Sequence, residues 1–141
     1  MGTWDIGHFD NDTAADFSGT LDDAAPVERE AVVRRVLTFV AATAAEDYLD
    51  SHEAAQAVAA AALIAAQCPG GEPVTTSYGP KQPLPAFPAD LRPLAADALD
   101  RVLADESELA ELWDESGEAA DWRRTVTDLR AVLVPDPAAA P

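Results

Sequence analysis

The stretch "AAQAVAAAALIAA" at residues 54–66 decides the fold of this chain, because twelve of its thirteen residues are apolar. A helix with no polar side to turn to water belongs at the buried centre of a domain, and alanines let neighbouring helices approach it closely. Asp50 and Glu53 have the spacing of a capping box at its start. Pro69 and the two glycines after it predict its end. The stretch is too short and too rich in alanine to span a bilayer.

Apolar residues elsewhere recur at the spacing of one helix face, three or four residues apart. One helix is predicted to start near Pro26, with its apolar positions at Val33, Val36, Leu37, Val40 and Ala44. A second follows Asp90 as its cap, with apolar positions at Leu91, Leu94, Ala95, Ala98, Leu99, Val102 and Leu103. A short helix with Leu109, Leu112 and Trp113 comes next, and the last runs from about Glu118 to just before Pro135, with Trp122, Val126, Leu129 and Leu133.

These patterns predict an all-α fold, a compact bundle of about five to six helices. We expect a single helical domain over residues 1–134 and a disordered C-terminal tail at residues 135–141. The aromatic and aspartate-rich segment Trp4–Phe17 is expected to pack on the bundle. The proline-rich stretch Pro69–Pro88 is long for a connection inside one domain and is predicted to be a loop that covers the surface. The side chains expected to pack inward from it are Tyr78, Leu84 and Phe87.

The charge balance restricts the classes of partner. Twenty-six acidic residues stand against nine basic ones, which gives a formal net charge of −17. Such a field repels nucleic acid phosphates and anionic membranes, so neither is an expected partner, whereas cations and basic proteins are favoured. The single cysteine, Cys68, cannot form an internal disulfide, and we find no signal-peptide pattern. We therefore expect a cytoplasmic protein, and the many alanines and arginines are typical of a bacterial genome rich in GC.

The first residues offer a candidate metal site. Asp5, Asp10, Asp12 and Asp16 supply the oxygen ligands that Ca²⁺ or Mg²⁺ prefers. The spacing does not fit an EF-hand, because alanine stands at the turn position where that loop needs glycine. Asn11 or Asp12 also fits the cap of a helix, Thr13 and Asp16 have the spacing of a capping box, and early acids complement the helix dipole. We favour capping and commit to no cofactor, with the cation site kept as the alternative. The aromatic residues Trp4, Phe9 and Phe17 are then core anchors.

Motifs for catalysis are lacking. The chain has no phosphate-binding loop, no dinucleotide fingerprint and no nucleophile elbow. His8, His52 and Cys68 do not have the spacing of zinc ligands. An enzyme is thus unsupported, and the enzymatic hypothesis that remains is a pocket beneath Pro69–Pro88.

The acidic block "DESELAELWDESGEAADW" at residues 105–122 is the candidate binding surface. On a helix, Glu108, Glu111 and Glu115 line one side, and Leu109, Leu112 and Trp113 line another. The block has two interpretations. It is either an ordinary solvated face or an interface at which acidic groups beside an exposed tryptophan receive a basic protein. The candidate partner-binding residues are Glu108, Glu111, Trp113 and Glu115.

In its first seventeen residues and in the acidic block, the chain resembles a bacterial family, domain of unknown function 4259. The positions that match its N-terminal pattern are Gly2, Trp4, Gly7, Phe9, Asn11 and Asp12, followed later by Leu112, Trp113, Trp122 and Leu129. The chain departs from the pattern at Asp5, where a glycine is expected, and at His8, where a small residue or proline is commoner. The resemblance implies a small helical bacterial protein and no particular reaction.

Two hypotheses for function follow. The first is a non-catalytic cytoplasmic binding protein whose acidic surface engages a basic protein, for instance an immunity protein that inhibits a basic toxin. The second is a protein with a divalent-cation site, regulatory or hydrolytic, built from the N-terminal aspartates.

Overall fold

The structure, a computed structural model, describes residues 12–68, 71 and 84–134, with the backbone alone at residue 12. Over these residues the chain forms α-helices and no β-strand, which confirms the all-α prediction. The six helices are α1 (Asp12–Asp23), α2 (Arg29–Ala42), α3 (Ser51–Ala65), α4 (Leu91–Leu103), α5 (Glu108–Ser116) and α6 (Ala119–Leu133). Within the same ranges, none of these helices has the combined length and apolar character needed to cross a bilayer.

The alanine-rich helix α3 lies at the centre of the bundle. It packs against α1, α2, α4, α5 and α6, and every residue from Ala57 to Ala65 is buried. Small side chains let several backbones come close to one helix, so the core is built around α3 rather than around a large aromatic cluster. The prediction of a buried central helix is therefore confirmed.

The starts of α3 and α4 agree with the prediction, but the predicted side-chain capping hydrogen bonds do not form. Asp50 occupies the N-cap position of α3 with an extended backbone, but its side chain accepts no capping hydrogen bond, and Glu53 completes no capping box. Asp90 precedes α4 in a helical conformation and likewise caps nothing. Its carboxylate instead accepts a hydrogen bond from Arg34 of α2 at 2.7 Å, which joins two helices.

The second helix starts later and ends earlier than the apolar spacing predicts. A 3-10 turn occupies Pro26–Glu28, and α2 itself ends at Ala42. Thr43 adopts an extended backbone, which breaks the helix one residue before Ala44. Ala44 therefore belongs to the following loop, where its carbonyl oxygen accepts a hydrogen bond from Arg101 at 3.3 Å.

The end of the proline-rich stretch is fastened to the end of α3. The side-chain amide of Gln67 donates to the carbonyl oxygen of Pro85 at 2.9 Å and accepts from the backbone N–H of Phe87 at 2.9 Å. Leu84 and Phe87 are half-buried against the core, as predicted. Tyr78 lies outside the described residues. Gly71 approaches the carbonyl group of Ala65 so closely that a Cβ atom would collide with it.

The aromatic anchors predicted near the N-terminus are tested at one position. Phe17 on α1 is buried in the core at 1% exposure, which confirms its expected role. Trp4 and Phe9 lie outside the described residues, as does the predicted tail at residues 135–141.

Candidate interaction surface

A buried arginine joins the loop after α2 to the loop after α4, where the acidic block begins. Arg101 of α4 is only 7% exposed, and its guanidinium donates hydrogen bonds to carbonyl oxygens of both loops. These acceptors are Thr43 (3.0 Å), Ala44 (3.3 Å), Asp47, Asp105 (3.1 Å) and Glu106 (3.2 Å). A buried cation needs such partners because unpaired burial of charge is costly. Arg101 therefore holds the loop after α2 against the loop after α4.

A short backbone pairing joins the same loops. The N–H of Leu49 donates to the carbonyl oxygen of Glu106 at 2.8 Å, and the N–H of Glu108 donates to the carbonyl oxygen of Leu49 at 2.9 Å. Glu106 has a φ of 59°, in the left-handed region that residues other than glycine rarely adopt. Its carbonyl oxygen receives both the Leu49 N–H and the Arg101 guanidinium. We attribute the unusual backbone of Glu106 to this double acceptor role.

Tyr48 stands at the surface on the loop after α2. Its ring is 48% exposed, and its hydroxyl donates a hydrogen bond to Oε1 of Glu111 at 3.0 Å. Loss of hydration, the bond to Glu111 and the neighbouring charges of Glu108 and Glu106 raise the pKa of Tyr48 to about 12. The hydroxyl is protonated at physiological pH, as in any ordinary tyrosine, and its bond to Glu111 holds the ring beside α5.

Glu108 serves the N-terminus of the central helix. Its Oε1 atom accepts a hydrogen bond from the backbone N–H of Ser51 at 2.8 Å. This N–H is one of the donors that a helix start leaves without an intrahelical partner. Hydrogen bonding from Ser51 holds the pKa of Glu108 below its ordinary value. Glu108, from another helix, thus satisfies a donor at the start of α3, where the sequence predicts capping by Asp50 and Glu53.

Removal of the Glu108 carboxylate is expected to loosen α3 at its start. Glu108→Ala should lower the free energy of unfolding by about 1 kcal/mol at pH 7, the usual cost of losing a helix cap. Glu108→Gln keeps an acceptor of the same shape without the charge and should cost less. Urea denaturation of the three proteins measures both differences.

The pH dependence of this contribution has a definite sign. Since the folded protein lowers the pKa of Glu108, its charge stabilises the fold above the ordinary glutamate value of 4.5. That stabilisation is lost as the pH falls through the lowered pKa of the folded state. The gap between wild type and Glu108→Gln should therefore close in acid, and a gap of constant size down to pH 3 would contradict the assignment.

Trp113 is not the exposed contact that the interface interpretation required. It is 6% exposed and stacks on Trp122 of α6, with ring centroids 6.0 Å apart and ring planes 11° apart. Because α5 turns Leu109, Ala110 and Trp113 toward the bundle, the side chain left outside is Leu112, at 49% exposure. Trp113 is a core residue, so it does not supply the exposed tryptophan that the interface interpretation of the acidic block needs.

Tyr48 and the exposed or partly exposed groups around it form one surface, which we call the acidic face. It comprises the two loops joined by Arg101 and the outer side of α5. Its members are Glu46, Asp47, Tyr48, Asp105, Glu106, Glu108, Glu111, Leu112 and Glu115. Seven of these carry carboxylates, and two present exposed apolar surface. Of the predicted binding residues, Glu108, Glu111 and Glu115 thus lie on this face.

Three arginines of α4 and α6 are engaged within the fold. Arg101 is buried beneath the acidic face. Arg123 bonds both the Asp114 carboxylate at 3.3 Å and the carbonyl oxygen of Leu103 at 3.1 Å. Arg130 forms a two-point ion pair with Asp100 at 2.7 and 3.1 Å. The acidic face therefore presents negative charge to solvent with little compensation.

The N-terminal aspartates remain a separate hypothesis. Asp5 and Asp10 lie outside the described residues, and only the backbone of Asp12 is described. Asp16 is exposed on α1. Among the residues that the structure covers, no group of three or more histidines, cysteines and acids is arranged to hold a metal ion. The divalent-cation site stays a prediction.

Residues 2–125 match the family described as a domain of unknown function, DUF4259. The chain belongs to the DUF4259 family. No curated protein and no solved structure matches it. The DUF4259 region runs from before α1 into α6, so the whole acidic face lies within the matched residues.

The sequence did not mark two residues in this region, Arg101 beneath the acidic face and Tyr48 on it. Arg101 occupies a position of the apolar stripe of α4, three residues after Ala98 and seven after Leu94. A lone arginine on a buried stripe is the signal that could have marked it. Tyr48 lies among acids in "EDYLD" at residues 46–50. Its position beside α5 depends on tertiary contacts that no local pattern specifies.

Proposed function

We propose that the protein is a non-catalytic cytoplasmic binding protein that engages a basic protein partner through the acidic face. The observation that carries the proposal is the combination of seven carboxylates with the exposed side chains of Tyr48 and Leu112 on one surface. Inhibition of a basic toxin, as an immunity protein, is one concrete form of this function.

Rigidity supports the proposal. Arg101 and the Leu49 pairing fix the loop backbones, and Glu111 fixes Tyr48. A surface already in its binding conformation loses little side-chain entropy when a partner arrives. An ordinary solvated surface of acidic residues, by contrast, does not need loops and side chains held in one conformation.

The carboxylates and the apolar side chains of the acidic face are expected to contribute to different steps of binding. Carboxylates at the rim attract a basic partner over a distance and raise its association rate. Tyr48 and Leu112 offer apolar area that the partner buries, and tyrosine is enriched among residues that dominate binding energy. We therefore expect the charges to govern association and the two apolar side chains to govern dissociation.

The test begins with affinity capture from a lysate of the native organism and continues with the purified complex. Association and dissociation rates are measured in 50 and 500 mM salt. We expect the association rate to fall about tenfold or more over this range, because salt screens the steering field. The double variant Glu111→Gln/Glu115→Gln should slow association severalfold, and Leu112→Ala should mainly speed dissociation.

A control variant with the same change in net charge separates the effect of the acidic face on association from the effect of total charge. Asp23→Asn/Asp128→Asn removes two exposed carboxylates from α1 and α6. This variant should associate at nearly the wild-type rate. Equal slowing by both double variants would show that total charge and not the acidic face directs binding, and a partner insensitive to salt would contradict the proposal.

A further inference from the structure

A pocket opens between α2 and α3, separate from the acidic face. Its volume is about 200 Å³, and it is lined by Arg35, Val36, Phe39, Glu53 and Gln56. Pockets for drug-sized molecules are larger, so this one suits a ligand of roughly ten non-hydrogen atoms. It brings an acid, a base, an amide and an aromatic ring to one place.

Glu53, which lines this pocket, leaves hydrogen-bonding capacity unused. Its Oε2 atom is buried and accepts no hydrogen bond. A buried carboxylate oxygen without a donor is costly, and such groups in native proteins call for an explanation. The terminal torsion of glutamate is broad, so the oxygen is able to turn toward a donor in the pocket without leaving a favourable rotamer. A bound cationic donor would satisfy it.

Arg35 supplies the opposite charge. Its side chain is exposed, and within the part of the chain that the structure covers it forms no ion pair. Five other arginines bond carboxylates or carbonyl groups of the fold: Arg29, Arg34, Arg101, Arg123 and Arg130. Arg35 and Glu53 line the same pocket without pairing with each other. Two unpaired charges of opposite sign match a ligand that carries both.

An apolar wall completes the pocket. Phe39 is 58% exposed although it is a large hydrophobic residue on a regular helix, and Val36 beside it is half-buried. Exposed apolar area next to unpaired polar groups is the usual composition of a small-molecule site. The ligand should therefore have an apolar part as well as its two charges.

We propose that this pocket binds a free α-amino acid with an apolar side chain, of the size of leucine. Its ammonium group bonds the Glu53 carboxylate, and its carboxylate pairs with the Arg35 guanidinium. The side chain packs on Val36 and Phe39, and the Gln56 amide offers a further hydrogen bond. This inference is independent of the acidic face and of any protein partner.

The test is a titration of the full chain with L-leucine, followed by ¹H–¹⁵N NMR and calorimetry. We expect saturable shifts at amides of α2 and α3 around the pocket and a dissociation constant on the order of 0.1–1 mM. Isoamylamine lacks the carboxylate, and N-acetyl-leucine lacks the ammonium group. Each should bind at least tenfold more weakly than leucine.

Variants tie the binding to the two charges. Glu53→Gln and Arg35→Gln should each weaken leucine binding about tenfold, and Glu53→Gln should unfold no more readily than wild type because the Oε2 atom of Glu53 accepts no hydrogen bond in the fold. Glu118→Gln, an exposed acid at the start of α6, is the matched control and should bind as wild type does. Absence of saturable shifts, unchanged binding by Glu53→Gln, or equal binding of isoamylamine would overturn the proposal.

Discussion

Replacement of Arg101 by methionine is expected to lower the free energy of unfolding by about 3–5 kcal/mol, a loss typical of a broken buried hydrogen-bond network. The guanidinium bonds carbonyl oxygens of two loops, and methionine fills similar space while offering no donor. The carbonyl groups of Thr43, Asp47 and Glu106 would then lose a buried partner. Guanidinium chloride denaturation of both proteins measures the difference.

Two controls give the Arg101 prediction its specificity. Arg101→Lys keeps the charge but not the planar fork of donors, so it should recover only part of the loss. Arg124→Met removes an arginine whose contact with Asp121 is a 3.8 Å surface ion pair, and it should change stability by less than about 1 kcal/mol. Hydrogen exchange should rise first at Leu49 and Glu108, whose amides join the loops. A small loss in Arg101→Met with unchanged exchange would contradict the role given to Arg101.

Truncation of Trp113 is expected to cost about 3–5 kcal/mol, the usual range for an aromatic side chain removed from a core. Trp113 is buried and stacks on Trp122, which joins α5 to α6. This stacking stabilises the fold in addition to the burial of apolar area. Thermal or chemical unfolding of Trp113→Ala measures the loss. Tryptophan fluorescence should also change, because Trp122 would lose its stacked neighbour.

Leu112→Ala is the matched comparison on the same helix. Leu112 adjoins Trp113 in sequence but is 49% exposed, so its truncation should cost less than about 1 kcal/mol. The two variants thus separate stability from recognition: Trp113→Ala should weaken the fold, and Leu112→Ala should weaken the proposed partner complex. A stability loss of similar size in both would contradict the assignment of Trp113 to the core and Leu112 to the surface.

Much of the helical architecture follows from local pattern. The apolar run at residues 54–66 required a buried helix wherever its neighbours lay, because no side of it favours water. The stripes on α4 and α6 marked the faces that meet α3, and Leu99 and Val126 are indeed fully buried. Helix ends were less predictable, since a capping partner need not be near in sequence. For α3 it is Glu108, fifty-seven residues after Ser51.

The acidic face was foreseen in part. Clustered acids at residues 105–115 were visible in the sequence, but the loop at residues 46–48 joins them only through tertiary contacts. Trp113 and Leu112 are both apolar residues on the short helix α5, and the pattern alone did not say which of the two faces inward. The stacking partner on α6 decides it, since Trp122 receives Trp113 and leaves Leu112 in water.

Sequence by itself determined the fold class, the central position of α3 and the strong negative charge, because hydrophobic periodicity and charge are local properties of the chain. Tertiary structure alone decided that Arg101 would be a buried tie between loops, that Glu108 would cap a distant helix, and that Arg35 and Glu53 would share a pocket without pairing. Such features depend on the packing angle of one helix on another. A shift of a few ångströms would remove a hydrogen bond while leaving the periodicity of both helices unchanged.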